Sequence, residues 1–298
     1  MDIDGFAAAA RRELDAAGLD ATVHARDLAS GAEVGLAPDR PVVAASVFKV
    51  PVLIELCRQA AAGQVDLTAP LRHPAGDRTL GGIGLSAMLD EVVLSVRDTA
   101  YLMMAVSDNH ATDVLIDLVG LEAVNAGLER LGLTTTRLLT DCRGLFAEIA
   151  EDIGEEVDDD ALSRPDAELR ARLQATRAFD PARTSATTAR ESTTLLGAIW
   201  ADTAGPAEAC AEARRILGLQ VWPHRLAAGF PDSRIRLSGK TGTVTYVRNE
   251  AGVVEYPDGG RYAVGVFVRD PLEELRNPTA DRIIGTLGRL AVDALRGE

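Results

Sequence analysis

The chain has 298 residues, of which 47% are hydrophobic and 26% are charged, and its formal net charge is −14. This acidic balance argues against nucleic acids and anionic membrane surfaces as partners, because both select a basic protein face. No apolar run in the sequence approaches the ~20 residues of a membrane span, and the length suffices for a core without disulfides.

The beginning of the chain lacks the basic head and apolar stretch of a secretory signal, so the sequence predicts a cytoplasmic protein unless a leader has been removed. The three cysteines, Cys57, Cys142 and Cys210, are odd in number and widely spaced, which is typical of reduced thiols. No cysteine or histidine pair has metal-ligand spacing. We therefore expect neither a metal nor a cofactor.

In chain order, apolar spacing predicts an N-terminal helix over 6–17 and two short strands over 21–24 and 33–36. A helix opening at Ser46 and closing at Gly63 begins a long helical block. Its further predicted helices cover 98–106, 111–119, 121–131, 187–200 and 207–217. The acidic segment 148–160 is predicted to be an exposed loop or a frayed helix.

The C-terminal part is rich in β-formers. Strands are predicted over 234–237, 243–248, 252–256 and 262–268, with turns at 249–252 and 258–260 and a closing helix over 280–295. The early strands must pair with the late ones to complete a sheet. The sequence thus predicts one α+β domain over 1–298, with an α/β lobe (1–45 and 206–298), an all-α lobe (46–205) and a cleft between them.

Of the 31 basic residues, only Lys49 and Lys240 are lysines. Arginine keeps its proton, whereas a buried lysine can lose one and exchange it with a neighbour. Chance retention of two lysines in an arginine-rich chain is the plain alternative. The residues next to Lys49 and Lys240 in the sequence favour a chemical role for both lysines.

Ser46 and Lys49 are three residues apart at a predicted helix start, so both lie on one helix face. A neutral Lys49 can accept the hydroxyl proton of Ser46, which makes Ser46 a candidate nucleophile. Taken alone, a serine followed three residues later by a lysine is more often a helix cap and a surface charge.

Two further motifs follow in order. Ser107-Asp108-Asn109 lies between two predicted helices, where Ser107 can relay a proton to a leaving nitrogen and Asn109 can donate to a substrate amide oxygen. Lys240-Thr241-Gly242-Thr243 begins a predicted strand. There Lys240 and Thr241 suit a substrate carboxylate, Gly242 leaves room at the strand edge, and the amides of Thr243 and Ser46 can form an oxyanion hole.

The three motifs together resemble the class A β-lactamases and the related penicillin-binding serine peptidases. This resemblance covers about 21–295 and implies a five-stranded antiparallel sheet flanked by helices with an all-α lobe. It also implies an acyl-enzyme on Ser46 and a small-molecule β-lactam, ester or peptide amide as substrate. An arginine near position 248 binds the substrate carboxylate in the family, so Arg248 is a candidate for that role.

One part of the family pattern is missing. Class A β-lactamases carry an E-x-x-L-N motif whose glutamate activates the deacylating water, but the corresponding stretch here, 139–146, contains no glutamate. Asp141 is the nearest carboxylate and a possible deacylation base, and Glu148 is a weaker candidate. A second nucleophile at Cys142 is not indicated, because nothing in the sequence marks it as a thiolate.

Three functions remain open from sequence. The first is a β-lactamase-like serine hydrolase, and the second is an acyltransferase in which an amine replaces water. The third is a β-lactam-binding or sensor protein without turnover, which the intact set of motif residues disfavours.

Overall fold

The computed structural model describes residues 3–156, 158, 162, 165–270 and 277–298. Its α-helices are α1 (Ile3–Ala17), α2 (Lys49–Ala61), α3 (Val96–Ala105), α4 (Asn109–Val119), α5 (Leu121–Arg130), α6 (Cys142–Ile153), α7 (Ala167–Gln174), α8 (Ala189–Trp200), α9 (Ala207–Leu217) and α10 (Pro278–Arg296). Its strands are β1 (Asp20–Asp27), β2 (Glu33–Leu36), β3 (Val42–Val43), β4 (Pro70–His73), β5 (Val92–Ser95), β6 (Ala186–Thr187), β7 (Arg236–Val244), β8 (Val247–Glu255) and β9 (Arg261–Arg269).

The main sheet has five strands in the order β2-β1-β9-β8-β7, and every neighbouring pair is antiparallel. The N-terminal β1 pairs along its whole length with the C-terminal β9. This confirms that the early strands join the late ones, and it confirms the predicted α+β class with a five-stranded sheet flanked by helices.

The sheet is buried on both faces because successive side chains of a strand point to opposite sides. On β9, Val264 and Val266 belong to the apolar cluster formed with α1 and α10. Gly265, between them, faces α8, where a β-carbon would lie 3.2 Å from the Ala189 carbonyl oxygen. A second apolar cluster centres on α2 and its helical neighbours. The lobe boundaries after residues 45 and 205 remain predictions.

Some predicted elements differ in the structure. Ser46 does not open an α-helix but lies in a 3-10 turn, Ala45–Phe48, that leads into α2. The Lys240 motif lies inside β7 rather than at its start, and β8 runs through the predicted turn at 249–252. The β4–β5 hairpin was not predicted.

The acidic segment is also more ordered at its start than predicted, since 148–153 belong to α6, which ends at Gly154 in the left-handed conformation. Residues 157, 159 and 160 of that segment lie outside the described residues. Among the described residues, no helix combines the length and hydrophobicity needed to cross a membrane.

Candidate active site

Ser46 is held in a tight turn between β3 and β7. Ala45, just before it, has φ of 44°, a conformation uncommon for residues other than glycine. Asn249 on β8 steadies this turn by donating from Nδ2 to the Val43 and Ala44 carbonyls at 2.9 and 3.2 Å. Gly242 packs so closely that a β-carbon would come within 3.1 Å of the Ala44 carbonyl oxygen. The fold thus places Ser46 against the middle of β7.

Lys49 occupies the first position of α2 and is fully buried. Its Nζ donates to the Ser107 carbonyl at 2.8 Å, to Asn109 Oδ1 at 2.9 Å and to Ser107 Oγ at 3.3 Å. Burial lowers the pKa of Lys49, while the charge of nearby Asp108 acts in the opposite direction. No hydrogen bond joins this amine to Ser46 Oγ within the described part of the chain. The structure therefore joins the first and second motifs through a buried amine that is easier to deprotonate than a surface lysine.

Ser107 lies between α3 and α4 with φ of 66°, and both its carbonyl and its hydroxyl face Lys49. Asp108 caps α4 by accepting from the Ala111 amide at 3.0 Å, and it also accepts from the Leu85 amide. Asn109 Nδ2 donates to the Leu80 carbonyl at 2.9 Å. The second motif thus both surrounds the amine and fastens the loop over 80–85 beside it.

Lys240 is fully buried within β7, and its Nζ donates to the Thr241 carbonyl at 2.8 Å. Burial and the nearby cations Lys49 and Arg225 lower the pKa of Lys240 well below its ordinary value, against the charge of Glu250. Glu250 is itself buried, which raises its pKa, and it accepts from the Leu226 amide at 2.7 Å. The two lysines are therefore close enough to influence each other electrostatically.

A cleft of about 360 Å³ opens in front of these groups. The predicted site residues that line it are Ser46, Ser107, Asn109, Thr241 and Thr243. Gly82, Ile83, Trp222 and His224 provide further walls. The cleft is thus polar where the motifs meet and includes the apolar side chains of Ile83 and Trp222.

Arg225 is a cleft residue that the sequence analysis missed. Its buried guanidinium donates to Thr243 Oγ1 at 2.7 Å, to the Gly242 carbonyl at 2.9 Å and to Asp281 Oδ1 at 2.7 Å. It belongs to none of the three motifs, and a single arginine before a predicted strand gives no signal. Arg225 brings a cation to the strand that carries the third motif.

Arg248 is also buried, but it does not line this cleft. Its Nη1 donates to the carbonyls of Thr245 and Val247, the latter at 3.0 Å, and its Nε lies 3.9 Å from Asp281 Oδ1. The predicted role of Arg248 in binding a substrate carboxylate remains a prediction.

A smaller cavity of about 80 Å³ lies on another side of Ser46 and is lined by Asn109, Asp141 and Cys142. Asp141 Oδ1 caps α6 by accepting from the Gly144 amide at 2.7 Å. Cys142 Sγ lies 3.6 Å from Asn109 Oδ1, and burial raises the pKa of its thiol. The structure thus places Asp141 at the same cavity as Ser46 and keeps Cys142 as a thiol.

Glu148, six residues further along α6, does not line that cavity. Six residues of α-helix rise about 9 Å, so Glu148 lies well away from the start of α6. Within the described chain, no three His, Cys, Asp or Glu side chains are grouped as metal ligands.

Comparisons with known proteins identify the family of the chain. A model of the Beta-lactamase enzyme family matches residues 6–295. The chain belongs to this family. A curated relative, the β-lactamase regulatory protein BlaB of Streptomyces cacaoi, is 30% identical over 301 residues that cover 96% of each chain.

Solved structures of the family have the same fold. The β-lactamase from Sphaerobacter thermophilus is 27% identical and superposes with a TM-score of 0.79 over 100% of this chain and 99% of its own. PBP-A in an acyl-enzyme complex with penicillin G is 21% identical, with a TM-score of 0.75 over 97% of this chain and 96% of its own. The second likeness is evidence for the fold alone.

Proposed function

We propose that this protein is a serine hydrolase that forms an acyl-enzyme on Ser46 and hydrolyses it. The observation that carries the proposal is the buried Lys49 amine, whose hydrogen bonds bring Ser107 and Asn109 to the cleft that Ser46 lines. Its substrates are small acyl compounds, namely β-lactams, esters or peptide amides.

Acylation uses the cleft residues in turn. Neutral Lys49 accepts the hydroxyl proton as Ser46 Oγ attacks the substrate carbonyl. The backbone amides of Ser46 and Thr243 stabilise the oxyanion, and Ser107 passes a proton to the leaving nitrogen or oxygen. Thr241 and Arg225 line the cleft and provide the polar and positive end that suits a substrate carboxylate.

Deacylation needs an oriented water and a base. Asp141 supports this step because it lines the cavity beside Ser46. Its Oδ1 caps α6, while its Oδ2 has no hydrogen-bond partner among the described residues. We assign Asp141 the role of deacylation base, with Asn109 among the other polar residues that line that cavity.

A sensor without turnover is the second candidate function, and the relative BlaB favours it because that protein is named as a regulator of β-lactamase. In such a sensor Ser46 would be acylated but the adduct would persist. The hydrolase proposal is preferred because a carboxylate lies at the cavity where deacylation would occur. An amine acceptor in place of water is supported by no specific feature.

Turnover of nitrocefin and p-nitrophenyl acetate by the wild-type chain and by Ser46→Ala tests the proposal. We expect multiple turnovers by the wild type and a loss of at least about a thousandfold in Ser46→Ala, because the covalent route is removed. Ser30→Ala, in an exposed turn away from the cleft, is the matched control and should retain activity. Equal turnover by both variants would refute the proposal, and a stoichiometric burst without further turnover would favour the sensor.

A further inference from the structure

A separate cavity of about 180 Å³ lies beside β3, between the ends of β8 and β9 and the segment around Phe179. We call it the β3 cavity. Its apolar lining includes Val43, Phe179, Tyr246 and Phe267. The rings of Phe179 and Tyr246 stack with their centroids 4.7 Å apart. The cavity therefore offers an aromatic surface of a kind that favours a planar apolar group.

The charged residues that line the cavity carry a net positive charge. Arg269 and Arg40 line the cavity together with a single acid, Asp20. Arg40 is paired with Asp20 at 2.8 Å, whereas Arg269 lies over the Tyr246 ring at 5.5 Å and has no ion-pair partner within the described chain. In a chain with net charge −14, a cavity with one unneutralised arginine is complementary to an anion.

The β3 cavity also shares a wall with the active site. Val43 lines both the β3 cavity and the cavity beside Ser46 that contains Asp141. Asn249 lines the β3 cavity and donates to the Val43 and Ala44 carbonyls just before Ser46. The Asn249 carbonyl accepts from Arg225 at 3.0 Å, and Arg225 also holds Thr243. A molecule against Val43 and Asn249 would thus contact groups that position the nucleophile and the oxyanion strand.

We propose that the β3 cavity is a second ligand site for a small aromatic carboxylate. The ring packs among Phe179, Tyr246 and Phe267, and the carboxylate pairs with Arg269. Filling the cavity restrains Val43 and Asn249, which pre-organises the turn that carries Ser46 and speeds acylation. This effect on acylation rests on the proposed function, whereas the binding site does not.

Calorimetric titration of phenylacetate into the Ser46→Ala protein tests the site without covalent chemistry. Arg269→Gln in that background should weaken binding about tenfold or more, the loss of one charge-assisted pair. Arg261→Gln is the matched control, since Arg261 is the exposed arginine at the opposite end of β9, and it should leave the affinity within about twofold. Phenylacetamide, which lacks the charge, should bind about tenfold more weakly than phenylacetate.

Thr241→Val distinguishes the β3 cavity from the catalytic cleft, because Thr241 lines only the latter of the two. Unchanged phenylacetate binding in Thr241→Val supports the proposal. The proposed site would be overturned if phenylacetate showed no saturable binding or if the two arginine variants lost equal affinity. Loss of phenylacetate binding in Thr241→Val would also overturn it.

The acylation rate of the wild-type chain with nitrocefin should rise about fivefold at saturating phenylacetate, and this rise should vanish in Arg269→Gln. An unchanged or slower rate would overturn the coupling. If no acyl donor reacts with Ser46, the proposed function fails, while the titration in Ser46→Ala still decides the binding site.

Discussion

The two lysines of this chain occupy buried positions with different surroundings. Lys49 Nζ is surrounded by oxygens of Ser107 and Asn109, whereas Lys240 lies beside the cations Lys49 and Arg225 with Glu250 as the nearby carboxylate. The first arrangement suits an amine that gives and takes a proton. The second suits a hydrogen-bond donor that holds the Thr241 carbonyl and so positions the strand beside the cleft.

Replacement of each lysine by arginine separates these roles. Lys49→Arg should lower the acylation rate with nitrocefin by about a hundredfold or more, because a guanidinium cannot act as a base. Lys240→Arg keeps a hydrogen-bond donor at this position and should lower the acylation rate by about tenfold at most. Stopped-flow kinetics measure both rates, and equal losses in the two variants would contradict the distinction.

The acylation rate should also depend on pH in a defined direction. Lys49 must be neutral to accept the proton, so the rate should fall as pH decreases through its pKa. Burial lowers that pKa, so this loss of rate should occur at a pH below the ordinary range of lysine. A limb near the ordinary lysine pKa of ~10.4 in a pH profile of nitrocefin acylation would contradict the assigned base.

Among the secondary-structure elements, α6 begins at the residue that follows Asp141, which is both its N-cap and the proposed deacylation base. A substitution that keeps the cap can therefore test the role as a base. Asn caps a helix as well as Asp does, so Asp141→Asn should change the free energy of unfolding by less than about 0.5 kcal/mol. It should leave acylation unchanged and slow deacylation about a hundredfold, since an amide cannot act as a base. Rapid-quench mass spectrometry measures both steps.

Asp166→Asn is the matched control, because Asp166 caps α7 in the same way by accepting from the Leu169 amide at 2.8 Å. This variant should leave both steps unchanged. Unaltered deacylation in Asp141→Asn would show that Asp141 serves only as a cap.

The sequence predicted elements well where local signals and burial agree. The helix over 207–217 has the predicted bounds, and Gly120 separates α4 from α5 as expected. The predicted turn at 249–252 was wrong because Asn249 and Glu250 look like turn residues. Their polar groups are instead satisfied by distant partners, the Val43 carbonyl and the Leu226 amide. Hydrogen bonds to residues so distant in sequence cannot be predicted from the residues next to Asn249 and Glu250.

Distant partners also limited the prediction of the active-site residues. Short spacings in the sequence pointed to Ser107 and Asn109, whose oxygens accept hydrogen bonds from Lys49 in the structure. Arg225 was missed since it reaches Gly242 and Thr243 from a loop that precedes β7. The order of the motifs in sequence cannot show which distant cation completes a cleft.

At the scale of the whole molecule, the central sheet separates two apolar clusters. Leu53 in α2 belongs to the cluster of the helical side, and Leu287 in α10 belongs to the cluster behind the sheet. Both side chains are fully buried. Because β8 and β9 contribute residues to both clusters, we expect the two to unfold together.

Leu53→Ala and Leu287→Ala should therefore each lower the free energy of unfolding by about 2–5 kcal/mol. Each variant should still unfold in one transition, as a single domain does. Urea titration followed by both far-ultraviolet circular dichroism and tryptophan fluorescence checks this. Two separated transitions in either variant would indicate lobes that fold independently.

The proposed chemistry requires that the acyl group is carried by Ser46. Intact-protein mass spectrometry after incubation with penicillin G should show one added penicilloyl group on the wild-type chain, and peptide mapping should place it on Ser46. Ser46→Ala should show none. An adduct on another residue, or an undiminished adduct in Ser46→Ala, would show that Ser46 is not the nucleophile.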